Sequence, residues 1–242
     1  MSNEQDAIFR TLTKKATLGD MISMIAHQWK QPLSVISVLN TGMDLQLELD
    51  NFDKQKFLSY NRQIKEQIDY MSETINDFRN FLQEDSKKNI LDIKVCIQKA
   101  LKFTAIALTK NDILFEVNFY TDKCKFLGFN NDVTQILIVF ISNAKDKLSL
   151  LALETKKITI DVNEENENLL ISVKDNGGII DESIINDIFI EHFTTKKEPN
   201  GNGIGLYIAN KIAKEHLHGK IWVENNKEEN SVTFTLSIPL KK

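Results

Sequence analysis

The stretch "AHQWKQPL", residues 26–33, contains a histidine that is followed by a glutamine four residues later and then by a proline. Histidine can act as a nucleophile near neutral pH. Pro32 lacks an N–H and opposes the carbonyl of Gln28, so we expect a helix to kink just beyond His27. At 100° per residue, His27 lies about 200° from Ile25 and from Trp29, which predicts that its ring faces solvent. A single surface histidine is usually incidental, so a functional interpretation depends on the rest of the chain.

Three further stretches have residue types that suit a nucleotide. In "QILIVFISNAKDKL", Asn143 lies on an apolar helix, where a buried amide needs a partner such as a metal, a phosphate or nearby backbone. In "VKDNGGII", the carboxylate of Asp175 can accept from an exocyclic amine, and the two following glycines admit a flat ring. Taken alone, this stretch could also be an ordinary Asn-Gly turn.

The third stretch, "NGNGIGLYIANKIAKEH", opens a predicted helix with Gly201, Gly203 and Gly205. Backbone N–H groups and the helix dipole favour phosphate at such an N-terminus. The spacing is GxGxG rather than GxGxxG, and no lysine followed by serine or threonine comes after it. A dinucleotide-binding turn and a Walker loop are therefore both disfavoured.

The elements that must position these residues fall into two parts. Apolar residues recur at steps of three and four in two segments, which is typical of helices buried against partner helices. The first seam contains Leu18, Ile22, Ile25, Trp29, Leu33, Ile36, Asn40, Met43 and Leu47, and the second contains Phe57, Tyr60, Ile64, Ile68, Met71, Ile75, Phe78 and Leu82. The polar break "LDNFDK" between them predicts an antiparallel helical hairpin, and two copies would bury the seams as a dimeric four-helix bundle.

From about residue 89 the pattern becomes α/β. We expect helices near 94–110, 130–153 and 203–216, a β-hairpin of 158–162 with 169–174, and a sheet with helices on one face. The domain boundary is expected in the short linker "EDSKKN", which gives domains at 1–88 and 89–242.

Composition excludes several classes of protein. The formal net charge of −4 and the absence of a basic cluster argue against nucleic acid or an anionic membrane as the partner. No apolar run reaches the roughly 20 residues of a membrane span. Cys96 and Cys124 suit reduced thiols better than a disulfide framework, so we expect a cytoplasmic protein or the cytoplasmic part of a longer receptor.

The order and spacing of these blocks resemble the sensor histidine kinases of two-component signalling. "AHQWKQPL" is similar to the H box, "SNAKDKL" to the N box and "DNGGI" to the G1 box, while "IFIEHFTTK" and "GNGIGL" look like the F and G2 boxes. The resemblance covers nearly the whole chain. It implies a homodimeric phosphotransfer domain followed by an α/β sandwich that binds ATP and Mg²⁺.

The resemblance also implies a role for each site residue. His27 becomes the phosphoacceptor, with Gln28, Gln31 and Asn143 as further catalytic residues and Asn143 as the magnesium ligand. Asp175 contacts the adenine amine, and Phe193, Thr194, Thr195 and Lys196 belong to a mobile lid. The remaining nucleotide-binding positions are Asp146, Lys147, Gly177, Gly178, Ile180, Gly201, Gly203, Ile204, Gly205 and Leu206.

The implied function is ATP-dependent phosphorylation of His27, followed by transfer to an aspartate in the receiver domain of a response regulator. Four departures from the family pattern keep an alternative open. Gln28 replaces an acidic residue, Gln31 replaces a threonine or asparagine, and Val139 and Ile179 replace an asparagine and a glycine. The alternative is a catalytically weak dimeric scaffold that binds a nucleotide or a regulator. A chaperone- or topoisomerase-type ATPase is disfavoured because the helical hairpin with His27 precedes the ATP domain.

Overall fold

The computed structural model describes residues 29–49, 52–82, 88–129, 131–194 and 203–240. These residues fall into two compact units, with the boundary between residues 84 and 85. Among them, no helix is both long enough and apolar enough to cross a membrane.

The first unit is a helical hairpin. Helix α1 covers 29–48 and helix α2 covers Lys54–Leu82. Asp53 caps α2, since its Oδ1 accepts hydrogen bonds from the N–H groups of Gln55 (2.8 Å) and Lys56 (3.1 Å). Phe52 and Phe57 flank this cap with ring centroids 5.5 Å apart, which is the arrangement of a hydrophobic staple and sets the angle at which the chain enters α2.

The two helices of the hairpin are in close contact. A Cβ added to Gly42 would lie 3.0 Å from the Tyr60 ring, so this glycine lets α1 approach α2. Met43 is buried, whereas other members of the predicted seams remain half-exposed in the single chain. His27 and Gln28 lie outside the described residues, and so does the position of the expected kink. Residues 29–48, including the buried Pro32, form an uninterrupted helix.

The described residues of the second unit form seven strands and three helices. Its elements are β1 (Asn89–Asp92), α3 (Ile93–Lys110), β2 (Ile113–Phe119), β3 (Lys125–Gly128), α4 (Asp132–Ser149), β4 (Lys156–Glu165), β5 (Asn168–Asp175), α5 (Gly205–Glu215), β6 (Lys220–Asn226) and β7 (Ser231–Pro239). The five-stranded sheet has the order β2-β4-β5-β7-β6, in which only β2 and β4 run parallel. Strands β1 and β3 form a separate antiparallel pair.

The strand patterns explain why the helices lie on one face of the sheet. Alternate residues of β4 and β5 are buried, among them Ile160, Val162 and Ile171, and the residues between them are more exposed. Phe140 of α4 contacts Phe234 of β7, with ring centroids 5.3 Å apart. The core therefore lies between the sheet and the helices, which confirms the predicted α/β layers.

Some boundaries differ from the sequence expectation. Helix α4 ends at Ser149 rather than 153, and α5 starts at Gly205 rather than 203. The predicted hairpin is present and is longer at both ends, while β1, β2 and β3 were not predicted. Strands β1 and β3 are only four residues long, too short for a clear alternation of apolar and polar residues.

Candidate functional site

The last residue of β5, the central strand of the sheet, carries a buried carboxylate. Asp175 is 3% exposed, and its Oδ1 accepts a hydrogen bond from the backbone N–H of Gly177 at 2.9 Å. Burial raises the pKa of Asp175 to about 6, although the Gly177 hydrogen bond and the charge of Lys147 both act to lower it. A buried carboxylate with remaining lone pairs is suited to accept a hydrogen bond from a ligand amine.

The two glycines of the loop after β5 are required for different reasons. A Cβ on Gly177 would lie 2.8 Å from Asp175 Oδ1 and 3.2 Å from Lys147 Cγ, so a side chain has no room there. Gly178 has a φ of +91°, in the region that other residues rarely adopt. The backbone at residues 177 and 178 thus follows a path beside the carboxylate that residues with side chains would not readily adopt, and the fit of a flat ring there stays a prediction.

One face of α4 connects this loop to the start of α5. Val139, Asn143 and Lys147 follow each other at intervals of four residues and therefore lie in a row along the helix. Val139 lies under α5, since its Cγ1 would be 3.5 Å from a Cβ on Gly205. Lys147 Nζ reaches the loop after β5, where it donates to the carbonyls of Gly178 and Ile179. Asn143 lies between these two contacts and is only partly buried.

The N-terminus of α5 has the features of an anion site. Ile204 is the cap residue and makes no side-chain hydrogen bond to the first turn. Backbone N–H groups of such a turn can be satisfied by phosphate oxygens. Gly203 has a φ of +66°, and a Cβ there would lie 2.5 Å from the carbonyl carbon of His192 and 2.7 Å from Phe193 O. The chain entering α5 is therefore packed against the start of the predicted lid.

The structure brings many of the predicted site residues into one unit. Those in the described part of this unit are Asn143, Asp146, Lys147, Asp175, Gly177, Gly178, Ile180, Phe193, Thr194, Gly203, Ile204, Gly205 and Leu206. Gln31 is exposed on α1 in the helical unit. The residues His27, Gln28, Thr195, Lys196 and Gly201 lie outside the described residues.

The sequence does not identify two residues whose side chains bond the backbone of this region. Asn225 on β6 holds both backbone groups of Ile180, since its Oδ1 accepts from the N–H at 2.9 Å and its Nδ2 donates to the carbonyl at 2.7 Å. Asn176 similarly accepts from Lys157 N and donates to Thr155 O, both at 2.8 Å. Asn176 lies within the recognised motif, but nothing in the run "VENN" distinguishes Asn225.

The donor set is compatible with ATP and Mg²⁺. The buried carboxylate of Asp175 suits the amine of the base, and the N-terminus of α5 suits the phosphates. Across the described part of the chain, no group of three or more His, Cys, Asp or Glu side chains could hold a metal alone. The amide oxygen of Asn143 and the phosphate oxygens of a nucleotide are oxygen donors of the hard type that Mg²⁺ takes, so Asn143 would fit the ion.

A comparison with known proteins gives a family match for the second unit. A family profile described as "Histidine kinase-, DNA gyrase B-, and HSP90-like ATPase" matches residues 128–242. The sensor histidine kinase TmoS of Ectopseudomonas mendocina is 29% identical over 234 residues, which are 95% of this chain and 23% of TmoS. The chain thus spans less than a quarter of the length of this curated relative.

Solved structures extend the comparison. The catalytic domain of the histidine kinase ThkA is 27% identical with a TM-score of 0.56, over 64% of this chain and 96% of that domain. The structure of ThkA in complex with the response regulator protein TrrA matches 97% of this chain and 67% of that chain, at 21% identity and a TM-score of 0.53, which shows a shared fold. Residues 128–242 therefore form an ATP-binding domain of the histidine kinase-, DNA gyrase B- and HSP90-like ATPase family, and it is the sensor histidine kinases that the chain as a whole resembles.

Proposed function

We propose that this chain is a histidine autokinase that uses ATP to phosphorylate His27 and passes the phosphoryl group to an aspartate in the receiver domain of a response regulator. The observation that carries the proposal is the row of Val139, Asn143 and Lys147 on α4. It joins the N-terminus of α5, which suits phosphate, to the buried carboxylate of Asp175, which suits an adenine amine. A nucleotide lying along this row would have its base at one end and its phosphates at the other.

The proposed reaction is an in-line displacement at the γ-phosphorus. A neutral imidazole nitrogen of His27 attacks, the bond to the β,γ-bridging oxygen breaks, and ADP leaves. The side-chain carbonyl of Gln28 is suited to orient the imidazole, but an amide cannot take up a proton, so the proton lost by the phosphorylated ring passes to solvent water. Backbone N–H groups at the start of α5 bind the phosphates. Mg²⁺ held at Asn143 would neutralise charge on the triphosphate.

Incubation with γ-labelled ATP and Mg²⁺ tests the activity. We expect label on the protein, and its chemistry should be that of a phosphoramidate, stable to base and labile to acid. Nucleotide binding without label would instead support the scaffold alternative. Release of phosphate without a labelled protein would support a different ATPase. Transfer is tested by adding a receiver domain, to which the label should move.

Replacement of Asn143 separates the contribution of the metal to ATP affinity from the contribution of the adenine base. We expect Asn143→Ala to weaken ATP binding about tenfold in the presence of Mg²⁺ and to change it little when Mg²⁺ is chelated, because only the metal-dependent contact is lost. Calorimetric titrations with and without Mg²⁺ measure both affinities. Equal losses under the two conditions would contradict a magnesium role for Asn143.

We also propose that the helical hairpin forms a homodimer through its seams. Leu33 (51% exposed), Ile68 (50%) and Ile75 (46%) belong to the predicted seams yet remain half-exposed in the single chain. Apolar side chains spaced along a helix face in this way are stabilised by burial against a second hairpin. ThkA, which shares this fold, was solved in complex with the response regulator protein TrrA, and this supports a response regulator as a further partner of the chain.

A charge placed on the seam should disrupt the dimer. We expect Ile68→Lys to raise the dissociation constant of the dimer at least about tenfold, because each copy would bury an unpaired ammonium group. Glu66→Lys is the matched control, since Glu66 lies about 200° around the helix from Ile68. Light scattering at micromolar concentration should give the mass of two chains for the wild type and for Glu66→Lys. A one-chain mass for the wild type would refute the dimer.

A further inference from the structure

The loop that follows β5 is held in place by side chains from elements that are far away in the sequence. Lys147 Nζ, on α4, donates to Ile179 O at 2.8 Å and to Gly178 O at 3.0 Å. Asn225, on β6, bonds both the N–H and the carbonyl of Ile180. The carbonyls of three consecutive residues are therefore engaged by two side chains that enter from different elements.

The position of the Lys147 ammonium group indicates whether it lies near the expected base or near the expected phosphates. Lysine has three N–H donors, and here two are directed at backbone carbonyls next to Gly177, the residue that bonds Asp175. The ammonium group is therefore anchored beside the carboxylate and not at the N-terminus of α5, where the phosphates are expected. Its charge also lowers the pKa of Asp175, against the effect of burial.

Backbone carbonyls in a tight loop need partners, and water can supply them only if the loop remains solvated. Here protein side chains supply the partners, and both Lys147 and Asn225 are only partly exposed. A loop ordered in this way loses little conformational entropy when a ligand binds. Loss of either side chain would require the ligand to order the loop, at a cost in affinity.

We propose that Lys147 and Asn225 are positioning residues for adenine recognition, which hold residues 178–180 in the binding conformation before the nucleotide arrives. This inference rests on the proposed function, because it assumes that Asp175 binds the base of a nucleotide. In this proposal Lys147 supports the binding of the base, and the alternative is that Lys147 contacts phosphate directly. Asn225 is a new site residue, since it lies outside all of the motifs named above.

The test is a comparison of adenosine, ADP and ATP binding to the full chain by calorimetry. Lys147→Met keeps the length of the side chain and removes its hydrogen-bond donors. We expect this variant to bind all three ligands more weakly by the same factor, about tenfold. Asn225→Ala should show the same ligand-independent loss. If Lys147 bound phosphate directly, adenosine binding would be unchanged and the loss would grow from ADP to ATP, which would overturn the proposal.

The pH dependence separates positioning from a general loss of stability. Ionised Asp175 accepts a stronger hydrogen bond from the amine than the protonated acid does, so ADP affinity of the wild type should fall as the pH drops through about 6. Lys147→Met should move this fall to higher pH, because the carboxylate loses its neighbouring positive charge. Asn225→Ala removes no charge and should leave the midpoint where it is. An unmoved midpoint in Lys147→Met would contradict the inference.

Lys174→Met is the matched control. Lys174 precedes Asp175 in β5, so its side chain points to the opposite face of the sheet, where it pairs with Glu229. The Lys174→Met substitution removes one positive charge next to Asp175 in the sequence without changing a contact of the loop, so ADP affinity should be unchanged. If the wild type bound none of the three ligands, the proposed function would fall as well. Normal wild-type binding with unaffected Lys147→Met and Asn225→Ala would overturn only this inference.

Discussion

The His27→Gln protein is expected to incorporate no label from γ-labelled ATP and to bind ATP as tightly as the wild type. Glutamine keeps a polar side chain at this position but offers no nucleophilic nitrogen, so the phosphoryl group has no acceptor. The residues proposed to bind the nucleotide all lie after residue 128, in the other compact unit, and should be unaffected. Autoradiography measures the label and calorimetry measures the affinity.

His218→Gln is the matched control for this experiment. His218 is an exposed histidine after α5, its Nε2 is 3.4 Å from Lys88 Nζ, and it has no proposed part in the reaction. We expect this variant to be labelled as the wild type is. Label that persists in His27→Gln would overturn the assignment of the phosphoacceptor. Loss of both label and ATP binding in His27→Gln would mean that the substitution acts on the nucleotide site.

Asp175→Asn should weaken nucleotide binding and at the same time stabilise the protein without nucleotide. The amide lacks the negative charge that strengthens a hydrogen bond from the adenine amine, so we expect ADP affinity to fall at least about tenfold. In the free protein, however, burial raises the pKa of Asp175 from 3.8 to about 6. The ionised carboxylate is therefore a cost to folding that an asparagine would avoid.

The sign of this pH dependence follows from the two pKa values. Between pH 4 and 6 the folded protein holds a proton on Asp175 that the unfolded chain has lost, so stability decreases as the pH rises through this range. Above about pH 6 the full penalty applies, and the pKa difference corresponds to roughly 3 kcal/mol. We expect Asp175→Asn to gain about 1 to 3 kcal/mol at pH 8, because it also gives up the attraction to Lys147. The gain should shrink towards pH 4.

Urea unfolding without nucleotide at several pH values measures this gain. Asp181→Asn provides a control of opposite sign, because hydrogen bonds from Ser183 lower the pKa of this exposed carboxyl. Its folded-state pKa lies below its unfolded value, so its ionised form favours folding above that value, and Asp181→Asn should give no gain at pH 8. An Asp175→Asn protein with wild-type stability at pH 8 would contradict the cost to folding that we assign to the buried, ionised carboxylate. Unchanged ADP affinity would remove Asp175 from the site.

The sequence was sufficient to predict those features that depend on local pattern. The recurrence of apolar residues at steps of three and four positions predicted the helical hairpin. The β-rich runs on either side of "NEENEN" predicted β4 and β5. The motifs predicted that Asp175 ends a strand and that Gly177 and Gly203 lie in the next loop and near a helix start, because these residue types are visible in the sequence. Their part in nucleotide binding stays a prediction. Each of these predictions needs only neighbours along the chain, and the seams also predict a dimer that is still to be tested.

Only the tertiary structure decided how distant segments meet. Strand β2 lies parallel to β4 at the edge of the sheet, a pairing across more than 30 residues that its own sequence does not specify. Lys147 reaches carbonyls 31 and 32 residues away, and Asn225 reaches a residue 45 positions earlier. The raised pKa of Asp175 likewise comes from burial by the assembled unit. Hydrogen bonds and desolvation act over a few ångströms in space, so their partners are defined only once strand order and helix packing have brought these segments together.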